Sequence, residues 1–295
     1  MAEEIKNGPK QKQENKAALR PDLVTVAGLV VAFAGILGGL LMEGGRIRDV
    51  AQITAAMIVL GGTFGAVLVS TPLHVLKGAM VRVRGVFFDS TPDFGQITEE
   101  VIGYATKARK NGLVSLEQEA EEIADPFLRK ALNLAVDGTD LQEIRKMLEL
   151  EIDTGDQRAE AEAKVFECAG GYAPTVGIIG AVLGLIQVMK NLANIDEVGH
   201  GIAVSFVATV YGVGSANLLF LPIASKIKAR QRAEAQRQEL ILEGVSGIVE
   251  GLNPKLIREK LRAFTGAADI TRAAEAPNKA PAESKVAETP VKVEA

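Results

Sequence analysis

Hydroxyl-bearing and small residues follow one face of an apolar segment in the second half of the chain. They recur at i, i+4, i+7 and i+11, which is one stripe of a helix, and they are Ser205, Thr209, Gly212 and Ala216. The preceding apolar segment carries a matching stripe of small residues, Gly177, Ala181 and Gly184. Two such faces are able to line a space for a charged group brought by another molecule. The alternative, which the pattern alone favours, is that each hydroxyl donates to a carbonyl of its own helix.

The apolar segments lack the ionisable groups that proton transfer through a bilayer requires. Asp, Glu, Lys and Arg do not occur in any of them. Such a side chain at the bilayer centre costs about 2.5 kcal/mol or more and is tolerated where function needs it. The chain alone therefore has no proton relay. These segments also lack the paired acid and base, metal cluster or activated nucleophile of an intramembrane enzyme.

Four segments are long and apolar enough to cross a membrane, since a spanning helix needs about 20 residues. They are residues 23–42, 50–76, 168–189 and 201–225. The residues between the second and third segments are polar and follow helical patterns. The sequence therefore predicts an all-α, polytopic membrane protein with four transmembrane helices and a helical cytoplasmic insertion between helices 2 and 3.

The predicted organisation has six parts along the chain. A polar leader without a cleavage pattern comes first, so it is not a signal peptide. The tail is rich in Ala, Pro, Glu and Lys without apolar periodicity, which predicts disorder. The parts are the cytoplasmic leader 1–22, transmembrane helices 1 and 2 in 23–76, the cytoplasmic domain 77–167, transmembrane helices 3 and 4 in 168–225, the helical extension 226–266, and the disordered tail 267–295.

Basic residues cluster on one side of the predicted spans. The leader, the start of the insertion and the segment after the fourth span hold most of them, whereas the two opposite loops are nearly balanced in charge. Cytoplasmic flanks carry the excess of Lys and Arg, so both termini are predicted to be cytoplasmic. The net charge of -4 does not suggest nucleic acid, and the single cysteine, Cys168, excludes an intrachain disulfide.

Local signals divide the insertion into short helices. Asn111-Gly112 predicts a turn between two helices. Ser115 with Gln118, and Asp140 with Glu143, have the spacing of capping boxes at helix starts.

Small residues at four-residue intervals in the spans indicate close helix packing. The packing partners are helices of the same protomer or of neighbouring protomers, and the pattern does not separate these. The residues are Gly35 and Gly39, Gly61 and Gly65, Gly180 and Gly184, and Ala208, Gly212 and Ala216.

Two long motifs carry a resemblance to a known family. APTVGIIGAVLGLIQVMKNL and GIAVSFVATVYGVGSANLLFLPIASKIK resemble the MotA/PomA family, the A subunit of the flagellar motor stator, within the MotA/TolQ/ExbB superfamily. The resemblance extends over roughly residues 23–264. It implies a pentameric ring of A subunits in the bacterial inner membrane around two MotB-type B subunits. Each B span would supply the aspartate that binds the coupling ion. Ion flow would turn the ring and push the rotor protein FliG, with no cofactor and no enzymatic activity.

The resemblance also implies roles for four residues of the spans. Pro174 and Pro222 match the two prolines associated with torque-coupling movement; for Pro222 the alternative is a simple helix end. Thr209 matches a threonine that faces the ion-binding aspartate, whereas Tyr211 is interpreted as a packing residue. Ala181 stands where sodium-driven members have a threonine, and a methyl group offers no oxygen to a hard cation. H⁺ is therefore the predicted coupling ion.

Three charged residues of the insertion match the family's rotor-facing positions. Arg109, Lys110 and Glu117 flank the predicted turn, and contact with FliG is the implied role. The alternative is plain solvation, since surface charges contribute little. His74 and His200 are predicted to be interfacial and receive no role.

Three other readings remain open at this point. A sodium-driven, PomA-type stator would share all of these motifs. ExbB/TolQ-like energising scaffolds have three spans with the first isolated by a large loop, whereas two spans precede the insertion here. A membrane scaffold without ion flow would need no partner carboxylate.

Overall fold

The computed structural model describes residues 20–89 and 94–275, with side chains over 22–88 and 94–264. Nearly all of this is helical, which confirms the predicted all-α class. The helices are α1 (Leu23–Met42), α2 (Ile47–Val50), α3 (Ile53–Ser70), α4 (Leu73–Val86), α5 (Phe94–Asn111), α6 (Glu117–Glu122), α7 (Pro126–Val136), α8 (Leu141–Lys190), α9 (Ile195–Ser215), α10 (Leu221–Val249) and α11 (Pro254–Glu275). A 3-10 turn (Leu113–Leu116) precedes α6, and a π-helical segment (Ala216–Phe220) joins α9 to α10.

One short β pairing accompanies the helices. Strand β1 (Arg20–Pro21) pairs antiparallel with β2 (Phe88–Asp89), and Arg20 lies opposite Asp89. The pairing ties the residues before α1 to the residues after α4.

The four predicted membrane spans fall in helices long and apolar enough to cross a bilayer. These are α1, α3, α8, and the continuous run Ile195–Val249 formed by α9, the π segment and α10. The second span is shorter than predicted, because α3 ends at Ser70 and α4 begins at Leu73. Pro72 lies in the break, and a proline has no N–H to continue a helix.

Two predicted domain limits do not coincide with helix ends. Helix α8 runs from Leu141 to Lys190 across the limit at 167/168, and α10 runs from Leu221 to Val249 across the limit at 225/226. The hydrogen bonds of a helix continue whether its side chains meet lipid or water. The change in composition therefore marks the membrane boundary and not an end of structure.

The chain forms two compact units. The first contains Met1–Pro92 and Gln142–Glu239, and the second contains Asp93–Leu141 and Leu240–Ala295. The predicted insertion 77–167 is accordingly divided between the two units.

The core of the first unit is built by α3, α4, α8 and the polypeptide around the π segment. Val67, Phe166 and Phe220 are among its buried side chains, and the rings of Phe64 and Phe220 meet edge to face at 6.3 Å. A smaller cluster joins Ala55 and Val59 of α3 to α9. Helix α1 contains no buried residue within the described chain.

The second unit packs α5, α6, α7 and α11 with the end of α10. Val101 of α5 contacts the helix at Gly244, and the Arg258 guanidinium of α11 pairs with Glu99 of α5. Helix α7 begins at Asp125, whose carboxylate accepts hydrogen bonds from the N–H groups of Phe127 and Leu128 at 2.9 and 3.0 Å. Asp125-Pro126 is a strong N-terminal signal that sequence reasoning passed over.

Other local predictions have mixed outcomes. Gly112 has φ of 84° and ends α5, so the predicted turn is confirmed. The capping role of Ser115 is wrong, because Ser115 lies in the 3-10 turn and its hydroxyl donates to the Gly112 carbonyl at 2.6 Å. Helix α11 continues through residues 267–275, past the predicted start of the tail. Residues 276–295 and the leader up to residue 19 lie outside the described residues.

Candidate functional site at the crossing of helices α8 and α9

Helices α8 and α9 cross with their backbones in contact. A Cβ built on Gly212 would lie 2.6 Å from the carbonyl oxygen of Ala173 and 3.2 Å from the Cα atom of Pro174. Further along the crossing, a Cβ on Gly184 would lie 2.8 Å from the carbonyl oxygen of Gly201. Small residues allow this approach, which supplies the dispersion contacts that hold membrane helices together.

A hydrogen bond of Ser205 also links α9 to α8 at this crossing. Its hydroxyl lies 2.8 Å from the carbonyl oxygen of Ala181 on α8 and 3.0 Å from that of Gly201 on its own helix. The side chain is buried, so the hydroxyl is satisfied inside the helix pair and is not available to an outside group.

The two stripes predicted to line a space instead pack against each other. Gly177 and Gly184 of α8 face Gly212 and Ser205 of α9, and this corrects the expected separation of the two faces. The physical reason is their size, since nothing larger than a methyl or hydroxymethyl group holds the backbones apart. The small pairs Gly35 and Gly39, and Gly61 and Gly65, have no neighbour within 4 Å of a built Cβ.

Thr209 is the member of its stripe that remains exposed. Its hydroxyl donates to the Ser205 carbonyl at 3.2 Å, which is the local hydrogen bond weighed as the alternative reading. That bond uses the hydroxyl hydrogen and leaves the oxygen lone pairs free to accept. Ala181 is half-buried and lies at the same seam, where its carbonyl binds Ser205 one turn from Thr209.

Pro174 lies inside α8, directly at the crossing. Because proline has no N–H, the carbonyl of Gly170 one turn earlier loses its helical partner. A Cβ on Gly170 would lie 2.7 Å from the side chain of Leu221, the residue before Pro222. The fold therefore brings the neighbourhoods of both prolines together.

Pro222 follows the π segment and does not end the helix. Helical structure continues to Val249, so the alternative of a helix end is wrong. The N–H of Leu221 bonds the carbonyl of Ala216, five residues back, in place of the usual four. The wider turn accommodates the pyrrolidine ring and the missing donor, and such π segments mark places where helices deform.

Tyr211 and Asn217, two further polar residues of α9 and the π segment, hydrogen-bond the backbone. The Tyr211 hydroxyl lies 2.5 Å from the Val50 carbonyl oxygen and accepts from the Gln52 N–H at 3.3 Å, so the predicted packing role is confirmed as an anchor for the start of α3. The Asn217 amide donates to the Val213 carbonyl at 2.9 Å.

A charge cluster below the first span was not predicted from the sequence. Asp22 caps α1 by accepting from the Thr25 N–H at 3.1 Å, and it also pairs with Lys226 at 2.9 Å and Arg230 at 3.3 Å. The Arg230 guanidinium donates further to the last carbonyls of α4, including that of Val86 at 3.2 Å. We name Asp22, Lys226 and Arg230 the Asp22 cluster.

The Asp22 cluster holds its carboxylate ionised. Burial alone would raise the pKa of Asp22, but the hydrogen bond and charge of Lys226 and the Thr25 N–H outweigh it, and the net pKa is well below 3.8. A depressed folded-state pKa contributes stability that is present above about pH 4 and lost as the pH falls through the folded value. This contribution is therefore constant from pH 5 to pH 8.

We expect Asp22→Asn to lower the stability of the purified protein by about 1.5–3 kcal/mol, the usual range for hydrogen bonds to charged groups. Asparagine caps helices as well as aspartate does, so the loss reports the charge and not the cap. Thermal unfolding in detergent measures it, and the deficit should be equal at pH 5 and pH 8. Asp22→Ala serves as the control, because it removes the cap as well and should cost about 1 kcal/mol more. A deficit that disappears at pH 5 would contradict the ionised cluster.

A second network joins α4, α8 and α10. Glu162 is 3% exposed and pairs with Arg82 of α4 and with Arg158 at 3.1 Å. Arg82 also donates to Gln231 of α10 at 3.2 Å. Only the helical pair of Glu162 and Arg158, four residues apart, could have been found in the sequence, because the other partners are distant along the chain.

The predicted rotor-facing residues lie together at one end of the α5–α6 hairpin. Arg109 and Lys110 are exposed in the last turn of α5, and Glu117 is exposed at the first residue of α6. Lys107 and Glu119 form an ion pair across the hairpin. The arrangement presents charges of both signs beside the Gly112 turn, and the rotor contact stays a prediction.

The two histidines and the cysteine lie on three different helices. His74 is exposed on α4, His200 is exposed in α9, and Cys168 is half-buried in α8. Within residues 20–89 and 94–275, three or more His, Cys, Asp or Glu side chains do not come together as metal ligands would.

Comparisons with known proteins match this architecture. Residues 26–107 match the family described as "Motility protein A N-terminal", and residues 119–240 match the "MotA/TolQ/ExbB proton channel family".

Motility protein A of Bacillus subtilis (strain 168) is 35% identical over 86% of this chain and 94% of its own length. A structure titled "Structure of C. jejuni MotAB" has a TM-score of 0.79, 31% identity, and covers 90% of this chain and 100% of its own. The "flagellar MotAB stator complex from Bacillus subtilis" gives a TM-score of 0.78, 33% identity, and covers 85% of this chain and 100% of its own.

Identity at this level over most of both chains establishes common descent and not merely a shared fold. Several relatives are named Motility protein A, and the helical architecture matches that of a solved MotAB chain over 90% of this chain. The chain with the α8–α9 crossing and the two intrahelical prolines therefore belongs to the MotA/TolQ/ExbB proton channel family, among the Motility protein A members.

Proposed function

We propose that this chain is the A subunit of a flagellar stator, which forms an ion pathway with a MotB-type partner and converts ion flow into torque. One observation carries the proposal. The close-packed helices α8 and α9 expose Thr209, and their membrane-spanning segments, residues 168–189 and 201–225, contain no Asp or Glu. The relatives whose structures match are titled as MotAB complexes, which supports a MotB partner and an oligomeric assembly.

The partner must supply the acid that binds the ion. The four spans contain no Asp or Glu, and a proton cannot dwell in hydrocarbon without such a group. An aspartate on the single span of the partner, placed against Thr209, would when protonated donate a hydrogen bond to the Thr209 oxygen, whose own hydrogen already bonds the Ser205 carbonyl. Protonation removes a charge at the α8–α9 surface, and the loss of that charge changes which helix arrangement is favoured.

The prolines are the sites at which such a change bends the helices. Pro174 leaves the Gly170 carbonyl without its helical donor, and Pro222 follows the π segment. Each is a local break in the hydrogen-bond ladder, where a bend breaks fewer bonds than elsewhere. Helix α10 is continuous beyond Pro222, so a bend there displaces the residues that follow it.

We propose H⁺ as the coupling ion. Sodium needs several oxygen ligands to replace its hydration shell, by the logic of other hard cations. At the seam Ala181 offers a methyl group, and its carbonyl oxygen already accepts from Ser205 at 2.8 Å. A proton needs the partner carboxylate and water alone, and no cofactor enters the pathway.

Swimming of cells that express the chain with its partner tests the pathway. We expect motility to persist without sodium and to stop with an uncoupler. Thr209→Val keeps the shape of the side chain and removes the hydroxyl. It should slow swimming roughly tenfold, because the free energy of about one hydrogen bond corresponds to a factor of that size. Thr209→Ser keeps the hydroxyl and should swim at the wild-type speed. Strict sodium dependence would overturn the choice of ion. Normal swimming of Thr209→Val would remove Thr209 from the pathway.

The exposed charges of the α5–α6 hairpin are proposed to meet the rotor protein FliG. Charges at the rim of an interface mainly set the encounter and the register of two partners. We expect Arg109→Glu to reduce swimming severalfold without lowering the amount of protein in the membrane. Restoration by reversing an acidic residue of FliG would identify the pair. Unchanged swimming of Arg109→Glu would argue against rotor contact at this position.

The assembly and orientation complete the proposal. We propose five copies of this chain around two partner subunits in the bacterial inner membrane, with both termini in the cytoplasm. The large exposed apolar surface of α1, α3 and α9 supports burial against lipid and other subunits, since residues such as Met57, Val69 and Phe206 are 71–91% exposed in the single chain. Native mass spectrometry of the purified complex would give the stoichiometry, and a mass other than five to two would overturn it.

A further inference from the structure

Helix α4 begins immediately below a membrane span. Helix α3 ends at Ser70, and two residues later α4 runs from Leu73 to Val86. With the orientation given under the proposed function, on which this inference rests, its first turn lies close to the cytoplasmic surface of the bilayer. The sequence assigns the first four residues of α4 to the second span and the rest to the insertion, and it does not predict a separate helix here.

The two faces of α4 differ in what they contact. The inner face packs on the core of the first unit through Ala79 and Val86, which are buried. The outer face leaves three large apolar side chains uncovered, Leu73 at 63%, Met80 at 59% and Val81 at 71% exposure. Apolar side chains that form a contiguous uncovered patch mark a surface that meets lipid or a partner.

Basic residues share the outer face with the apolar ones. Lys77 and Arg84 are exposed and follow Leu73 by four and eleven residues, which is the same side of the helix. Helix α4 contains no Asp or Glu. Arg82, by contrast, points to the protein interior and pairs with Glu162. Within the residues that the structure describes, neither Lys77 nor Arg84 forms an ion pair.

We propose that the outer face of α4 lies in the inner-leaflet interface and binds anionic phospholipid headgroups through Lys77 and Arg84. The apolar side chains Leu73, Met80 and Val81 enter the acyl region, and the two long cationic side chains extend toward the phosphates. Clusters of basic residues beside a span are attracted to anionic lipid, and the attraction is local because it falls off within a Debye length.

Lipid explains this face better than a second copy of the chain. Residues at the level of the membrane in a neighbouring copy would come from spans such as α1 and α3, and these contain no acidic side chain to meet Lys77 and Arg84. Anionic lipid supplies both the negative charge and the apolar surface that the face requires. Only Thr71 and Pro72 separate α4 from the end of α3, which places the start of α4 at the required depth.

Lipid retention by the purified complex tests the charges. The chain is co-expressed with its MotB-type partner, extracted, and analysed for bound phosphatidylglycerol and cardiolipin by native mass spectrometry. We expect the double variant Lys77→Gln/Arg84→Gln to retain roughly tenfold less anionic lipid. The matched control Arg129→Gln/Lys255→Gln removes one exposed arginine and one exposed lysine of the second unit and should retain the wild-type amount. Equal retention by both double variants would overturn the proposal.

Depth in the membrane is tested separately, by fluorescence. The chain contains no tryptophan, so Val81→Trp adds a single reporter whose signal is the difference from the parent complex. In liposomes we expect blue-shifted emission that brominated phospholipid quenches and aqueous acrylamide does not. Quenching by acrylamide would place the face in water. Protection from both quenchers would place it against protein, and either result would overturn the lipid assignment.

Discussion

Gly212→Ala will destabilise the protein by about 1–3 kcal/mol, the usual cost of overpacking a well-packed site, and will abolish motility. The added methyl group would lie 2.6 Å from the Ala173 carbonyl oxygen and 3.2 Å from the Cα atom of Pro174. Both contacts are with backbone, which cannot rotate away, so α9 must shift off α8. The shift moves Thr209 and loosens the hydrogen bonds of Ser205 at the same crossing. Thermal unfolding of the purified complex and swimming speed measure the two effects.

Gly214→Ala is the matched control for the crossing. Gly214 lies on the same helix two residues later, and a Cβ there meets nothing within 4 Å. Alanine is favoured over glycine in a helix by up to about 1 kcal/mol, so the stability of the fold should stay equal or rise. Equal stability of the Gly212 and Gly214 variants would show that the α8–α9 crossing is not as close as the structure indicates.

Pro222→Ala will raise stability and abolish torque, two effects of opposite sign. Alanine restores an N–H at position 222 and removes the ring that the π segment at Ala216–Phe220 accommodates. A proline inside a helix costs roughly 3 kcal/mol, part of which the π segment already relieves. We expect a gain of about 1–2 kcal/mol in thermal unfolding, normal membrane levels, and loss of swimming, because a regular ladder resists bending.

Pro254→Ala is the corresponding control. Pro254 is the first residue of α11, where a missing N–H leaves no helical bond unmade. Stability and swimming should both change little. If Pro222→Ala swims normally, bending at Pro222 is not part of torque generation.

Composition and periodicity were sufficient for the existence of the four spans, but not for the break at Pro72, which lies inside the predicted second span. The four spans, the Gly112 turn and the continuation of helix beyond Pro222 follow from properties of neighbouring residues, which a sequence displays directly. Continuity of α8 across the predicted limit at 167/168 was missed. A change from apolar to polar composition resembles a domain limit. The backbone hydrogen bonds of a helix nevertheless continue through such a change.

The facing of the two small-residue stripes required three-dimensional information. A stripe shows that one face of a helix carries small residues. It does not show whether that face borders a cavity or packs against the small-residue face of another helix. Gly177 and Gly212 meet each other, and Thr209 alone remains open. The resemblance assigned Thr209 a role in the ion pathway, and that role stays a prediction.

The charge clusters were beyond sequence reasoning for a different reason. Asp22 pairs with Arg230, and Arg82 pairs with Glu162, across separations of 208 and 80 residues. Each partner alone looks like an ordinary membrane-flanking or surface charge. Only the packing of α1, α4, α8 and α10 in the first unit brings the opposite charges together.

The central claim is that these four spans form an incomplete ion pathway, which the partner's carboxylate completes. Proton flux into liposomes that carry the purified chain, with and without its MotB-type partner, tests this most directly. With an imposed pH gradient and membrane potential, we predict no flux above that of empty liposomes for the chain alone, and flux for the complex that disappears when the partner's intramembrane aspartate is replaced by asparagine. Vectorial proton flux through the chain alone, at the rate of the complex, would contradict the claim.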